Sequence, residues 1–255
     1  NTRTPTGGNP ILVQFQSIAV AKKRCAAAEA LGELGDQKFK YVLQLARRDR
    51  DPRVRDAVAI GLARLGDKTE LIVFHSALND KDDGVRLAAM EAVAKIAAPE
   101  SQSRILAGLK DPSPEVRSAA LRGLQRLKNP GVWRDVAALL RDENAMARES
   151  AAETLEIFQI KEAVGPLKLL LEDENGYARA AAAKSLGRLG DRNGVDVLKS
   201  FMVSSDTDLC VRALQGLAVF PDESEWGALA RYLENAEDRV RLAAAVGIWK
   251  KGGLR

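Results

Sequence analysis

The stretch Asp111-Pro112-Ser113-Pro114-Glu115-Val116-Arg117-Ser118-Ala119-Ala120-Leu121-Arg122-Gly123-Leu124 decides the fold. Its Asp and Pro residues punctuate a turn and open a helix. After Arg117, the residues Ala120, Leu124 and Leu127 fall at offsets 3, 7 and 10, on one side of a helix with 3.6 residues per turn. The small residue lets a neighbouring helix come close, and the large ones fill the space between layers. Counting in steps of 31 residues from Arg117 reaches Arg24, Arg55, Arg86, Arg148, Arg179 and Arg241, with Cys210 the one miss in eight slots. A fixed period of this length marks stacked supersecondary units, each contacting mainly its neighbours.

The neighbouring columns keep the same register. Six residues before the Arg stand Asp49, Asp80, Asp111, Asp142 and Asp173. Seven after it stand Leu31, Leu62, Val93, Leu124, Leu155, Leu186, Leu217 and Ile248. Ten after it the residue is large and apolar from Leu34 to Phe220, and only Lys251 breaks the column. Each unit reads as two helices. Around Arg55 the pattern predicts a first helix over about 37–47, a turn carrying Asp49, Asp51 and Pro52, and a second helix over about 53–65 that stops at Gly66. The first unit lacks a polar turn, so residues 10 to about 34 read as one long helix or two poorly separated ones. Residues 1–9, rich in Thr, Gly and Pro, read as a flexible lead-in, and residues 10–255 as a single repeat domain.

The columns resemble HEAT repeats, in the short 31-residue form of the phycobilin-lyase HEAT-like family and of consensus-designed HEAT-like arrays. The resemblance covers about residues 10–250 and implies an all-α, right-handed α-solenoid of about eight helix pairs. It also implies a hydrogen-bonded ladder of Asp49, Arg55, Asp80, Arg86, Asp111, Arg117, Asp142, Arg148, Asp173 and Arg179 along the turns. The chemistry agrees, since a guanidinium offers five donors in a planar fork and can bridge carboxylates and carbonyls of adjacent layers. Arg117 is expected to bond the Asp80 or Asp111 layer. HEAT arrays serve mostly as scaffolds and adaptors, sometimes as accessory subunits of enzymes.

Composition narrows the function classes. Across 255 residues, hydrophobic side chains make up 46% and aromatic ones 5%, as an Ala/Leu-rich helical array requires. No apolar run reaches about 18 residues, so no membrane-spanning segment is expected. The net charge of +4 is small beside 74 charged side chains, 39 basic and 35 acidic, which is weak support for nucleic-acid binding. Cys25 and Cys210 lie six repeats apart. At roughly 8–10 Å per helix layer that separation is too great for a disulfide. Two free thiols suit the cytoplasm. The chain starts at Asn1, so a targeting signal or further chain would lie out of view.

Catalytic constellations are missing from the pattern. The one histidine, His75, has no companions at metal-ligand spacing and occupies a mixed, mostly exposed column. The iron-dependent deoxyhypusine hydroxylases, which share the HEAT-like fold, need several His-Glu pairs, and none occurs here. Gly-rich phosphate loops and Ser/His/Asp or Cys/His sets are equally absent. Trp133 and Trp226 share one column and read as core residues. The chain is expected to be no enzyme and to need no cofactor.

Function then falls to the face of the second helices opposite the core, at offsets 1, 5 and 8 from the Arg column, with offsets 4 and 9 beside it. That face carries Glu149, Glu153 and Glu156 in its middle and turns apolar at its end, with Val211, Leu214, Leu242, Val246 and Trp249. Three stacked glutamates would repel a phosphate backbone, and a contiguous apolar patch calls for a cover. The sequence therefore points to a protein or peptide partner on these residues. An accessory role beside a bilin-lyase-type or other enzyme and nucleic-acid binding are the alternatives. In the seventh unit, Ser204 and Cys210 replace both ladder members and Arg212 takes a slot that is mostly Ala, so a loosened junction around residues 204–212 is expected.

Overall fold

The computed structural model describes residues 20–220 and 223–252, and its described residues form helices and turns without strands. The chain divides into two compact units, residues 1–108 and 109–255. In the first, α1 (Ala21–Glu33), α3 (Pro52–Arg64) and α5 (Asp83–Ile96) are the second helices of repeats 1 to 3. The helices α2 (Lys38–Ala46), α4 (Lys68–Ala77) and α6 (Gln102–Gly108) alternate with them. In the second, α7 (Pro114–Leu127), α9 (Ala145–Ile157), α11 (Gly176–Arg188), α13 (Thr207–Leu217) and α15 (Asp238–Gly252) are the second helices of repeats 4 to 8. They alternate with the shorter α8 (Trp133–Ala138), α10 (Val164–Leu169), α12 (Val195–Phe201) and α14 (Glu223–Ala230). The lead-in over residues 1–9 and the long-helix reading before residue 20 lie outside the described residues.

Each second helix starts and stops by the same local chemistry. Asp51, Asp82, Ser113, Asn144, Asn175 and Asp206, spaced by 31, each cap a helix by accepting a hydrogen bond from a backbone N–H two or three residues on. Beyond the helix ends, Gly35, Gly66, Ala97, Lys128, Gln159 and Gly190 all have φ between 51° and 86°. Glycine adopts this left-handed region freely, whereas Ala97, Lys128 and Gln159 are held there against their preference.

The Arg column is a clamp with two grips. Within its own repeat, Arg117 Nη1 donates to the carbonyls of Asp111 (2.8 Å) and Pro112 (2.9 Å), and Arg148 does the same to Asp142 (2.8 Å) and Glu143 (3.0 Å). The outer edge of the guanidinium reaches the next repeat. Arg24 pairs with Asp49 (2.8 Å), Arg117 with Asp142 (2.6 Å) and Arg148 with Asp173 (2.7 Å), and all three arginines are buried. The carboxylate partner of Arg117 is thus in the following repeat. Asp80 plays no part, and Asp111 takes part through its backbone. The expected bond to the Asp111 layer is thus made through a backbone carbonyl, and the carboxylate contact runs one repeat further on, because the spacing alone does not say which way the long side chain leans. Each Asp of the column also accepts a hydrogen bond from the backbone N–H two residues on, as at Asp142 and Asn144 (2.9 Å).

Two rungs differ. Arg55 is exposed and donates to the Asp49 (2.8 Å) and Arg50 (3.4 Å) carbonyls, with no ion pair to Asp80. Arg179 faces Ser204 where a carboxylate would stand, and its guanidinium lies 5.0 Å from the centre of the Phe201 ring. Ser204 still fulfils the turn role, accepting from the Asp206 N–H at 3.1 Å. Cys210 is buried with Sγ 3.1 Å from the Met202 carbonyl oxygen. The seventh unit therefore keeps its turn and its packing, and only the ion-pair rung is lost. Arg212 clears the Ala slot by running out along the surface, as a long cationic side chain can.

The Arg24 guanidinium, bonding the Asp49 side chain, holds that carboxyl below its ordinary value of 3.8. A depressed carboxyl stabilises the fold above the unfolded value and loses that contribution as pH falls through the folded one. The Arg24–Asp49 rung therefore weakens in acid below about pH 4. Arg117→Ala should lower stability by about 1–3 kcal/mol. Arg55→Ala, at an exposed position without an ion pair, should change it by under ~0.5 kcal/mol. Parallel thermal melts of the two variants check the contrast.

Candidate functional site

The candidate site lies in the second unit, on α9, α11, α13 and α15. Four of these residues meet around one groove of about 570 Å³, where Glu156 faces Val211, Leu242 and Val246 across Lys184, Arg188, Gln215 and Arg239. Leu242 is 65% exposed, Val246 38% and the adjacent Trp249 74%, so large apolar side chains stand in water at the end of the face. Leu214 does not join them. It is fully buried, because offset 4 is just over one helical turn and falls beside the core offsets 3 and 7. Offsets 1 and 8 are also partly lost to packing: Ser118 and Ala180, with Ala63 and Ala94 in the first unit, are buried.

The glutamates of α9 are matched by cations from later repeats. Glu149 pairs with Arg212, which reaches back two repeats and lies 5.0 Å from the centre of the Tyr177 ring. Tyr177 in turn donates its hydroxyl to Asp206 at 2.7 Å. Glu156 has Lys184 at 3.4 Å and Arg188 at 3.6 Å. Glu153 sits between them with no ion pair of its own. Burial pushes its carboxyl above the usual range, with Lys184 opposing and Glu149 adding to the shift. The sequence reading set Lys184 and Arg188 on the same face as the carboxylates but did not pair them. The signal was available in Lys184 and Arg188, one repeat on at offsets 5 and 9, whereas Arg212 requires knowing which way its side chain runs.

The remaining candidates are structural. His75 is half-buried, more than its column suggested, with Nε2 2.9 Å from Ser101 Oγ, and burial lowers its pKa. Trp133 is half-buried under the Arg134 guanidinium at 4.7 Å. Trp226 is half-buried, and its Nε1 is enclosed without a hydrogen-bond partner. Cys25 and Cys210 are free thiols whose pKa values burial raises. No group of His, Cys, Asp and Glu among the described residues could hold a metal ion. The groove offers apolar contact surface and paired charges.

A repeated-helix architecture with this clamp and this register defines a class of α-solenoid. The chain belongs to the HEAT-repeat family, whose model matches residues 39–107, 102–168 and 164–249. Among solved structures it is similar to the complex of CpcE and CpcF of phycocyanin lyase from Nostoc sp. PCC7120, at 20% identity over 83% of this chain and 87% of that one, with a TM-score of 0.57. It is also similar to YibA of E. coli, at 20% identity over 95% of this chain and 92% of that one, with a TM-score of 0.54. At these identities the likeness is one of fold. No curated protein matches by sequence. No helix among the described residues is long and apolar enough to cross a membrane.

Glu153 yields a signed expectation. A carboxyl with a raised folded value costs stability once ionised, and that cost vanishes below its ordinary value of 4.5. Glu153→Gln should therefore raise the melting temperature at pH 7, and the gain should disappear near pH 4. Melts at the two pH values decide it.

Proposed function

We propose that this chain is a non-catalytic scaffold or adaptor that binds a protein or peptide along the face of its second helices. The observation that carries the reading is the exposed set Leu242, Val246 and Trp249 beside a groove of about 570 Å³. Burying such side chains contributes roughly 1.5–3 kcal/mol each, and few aromatic or aliphatic anchors dominate an interface. Glu156, Lys184, Arg188 and Arg239 supply a charged rim that selects among partners. Nucleic acid is disfavoured because Lys184, Arg188 and Arg212 are engaged with glutamates and would have to give them up for phosphates. We place the protein in the cytoplasm, where unpaired thiols persist.

A second reading is an accessory subunit that handles a bilin. The groove volume lies in the range of small-molecule sites, and the similar phycocyanin-lyase chain is seen in a complex of two proteins. Titration with a linear tetrapyrrole separates the readings: a shifted pigment absorbance favours the second.

The experiment for the main reading is the double variant Trp249→Ala, Val246→Asp, compared with the intact chain as bait for partner capture. Capture should fall about tenfold or more while circular dichroism and the melt stay unchanged, tenfold being about 1.4 kcal/mol of binding. Undiminished capture moves the docking face to Glu149, Glu153 and Glu156.

A further inference from the structure

One layer in the first unit is open where its counterparts are closed. The column that runs through Val54, Val116, Ala147, Ala178 and Val240 is buried, yet Val85 in the same column is 41% exposed. Leu43, Ile105, Val136, Leu167, Leu198 and Leu229 are fully buried, whereas Phe74, their equivalent in repeat 3, is only half-buried. Ala88 is exposed, as Ala26 in repeat 1 is, in a slot where Ala57, Ala119, Ala181 and Ala243 are buried. All three exceptions flank a single cleft of about 600 Å³ between α3, α4 and α5.

The cleft has a physical origin in the missing rung. At their C-terminal ends α3 and α5 are pinned, with Arg64 Nε and Nη2 donating to the Lys95 carbonyl at 3.0 and 2.7 Å. Ile60, Ala63, Leu71, Ala92 and Ile96 close a core cluster there. At their N-terminal ends nothing corresponds to the Arg24–Asp49 pair, because Arg55 stays in its own turn and Asp80 is exposed. The two helices converge at one end and leave Asp56, Val85 and Ala88 along an open wedge with an apolar floor.

The charge on the wedge selects an occupant. Its lining carries the carboxylates of Asp56, Asp82 and Glu91 against one amine, Lys95, whose Nζ already lies 3.4 Å from Glu29. We propose that this cleft is a second docking site, which takes the aliphatic side chains of a lysine- or arginine-bearing amphipathic helix from a partner protein. A helix laid in a groove presents apolar anchors on one face. The flanking cations would meet Asp56 and Asp82, and complementary charge fixes partner choice. The site belongs to the first unit and does not rest on the groove in the second.

The probe is a fluorescein-labelled helical peptide of about 18 residues, five turns, made of leucine and lysine, with a counterpart carrying glutamate for lysine. Anisotropy should show the lysine peptide binding at least about tenfold more tightly than the glutamate one, or about 1.4 kcal/mol. Ala88→Trp, which fills the wedge, and Asp56→Lys, which reverses an exposed charge, should each weaken it about tenfold. Glu162→Gln, at an exposed position of the other unit outside both grooves, should leave it unchanged. Asp56→Lys keeps the test valid should the tryptophan variant fail to fold. Equal affinity for both peptides, or unchanged affinity in Asp56→Lys, overturns the proposal. So does a self-association seen by sedimentation that Ala88→Trp abolishes, since a second copy would then be the occupant.

Discussion

The rest of the structure depends on one guanidinium doing two jobs. Arg117 and Arg148 each satisfy carbonyls of their own interhelical turn and a carboxylate of the next repeat. The first grip fixes the turn from which the second helix grows. The second sets the distance to the neighbouring layer, so the Arg-to-Asp interval of 25 residues is held by a bond and not only by packing. Desolvating both ions is costly, and the carbonyl and carboxylate bonds offset that cost in part, since Nε of Arg117 is enclosed without a hydrogen-bond partner. The second grip is absent at Arg55, where the adjoining layer stays open, and at Arg179, where the guanidinium lies against the Phe201 ring instead. Where the arginine itself is absent, at Cys210, the thiol lies against the Met202 carbonyl, and a cleft of about 440 Å³ lined by Met202, Val203, Arg231 and Tyr232 opens beside it.

The groove in the second unit shows a different balance. Its charges are not a field of one sign but a set of cross-repeat pairs, Glu149 with Arg212 and Glu156 with Lys184 and Arg188. Such pairs on a half-exposed surface contribute little to stability. They do order the side chains around the groove, and a partner able to offer better counter-charges can exchange with them. Beside them Leu242, Val246 and Trp249 provide the contact area, so the groove couples an apolar anchor site to a rim of adjustable polarity.

The period, the helix pairs and the core columns were legible because identical offsets recur at every repeat, and repetition suppresses the noise of any single residue. Glycine at positions 35, 66 and 190 was legible as a helix stop. Its equivalents Ala97, Lys128 and Gln159 were not, because the left-handed conformation there is imposed by the turn and not by the residue. The candidate face was legible only in outline. Leu214 points inward although Val211, three residues earlier, lines the groove, because three steps of about 100° leave the two side chains about 60° apart around the helix. The open layer between repeats 2 and 3 left no mark at all in the columns, since Arg55, Asp80, Phe74 and Val85 all conform to them. It follows from a side chain's choice of hydrogen-bond partner, which composition and spacing do not determine.

The recurring left-handed residue at positions 35, 66, 97, 128, 159 and 190 has a bearing on how such a chain can change over time. A backbone joint of fixed geometry, repeated every 31 residues and kept whether Gly, Ala, Lys or Gln occupies it, makes the segment between two joints a transferable cassette. Duplicating or excising one such cassette keeps every clamp in phase with the Asp of its new neighbour. Loss or gain of any other number of residues would put the clamp out of step. Lineages carrying this architecture are thus free to alter the extent of their binding surface in whole units, while the sequence within each unit drifts toward whatever it touches.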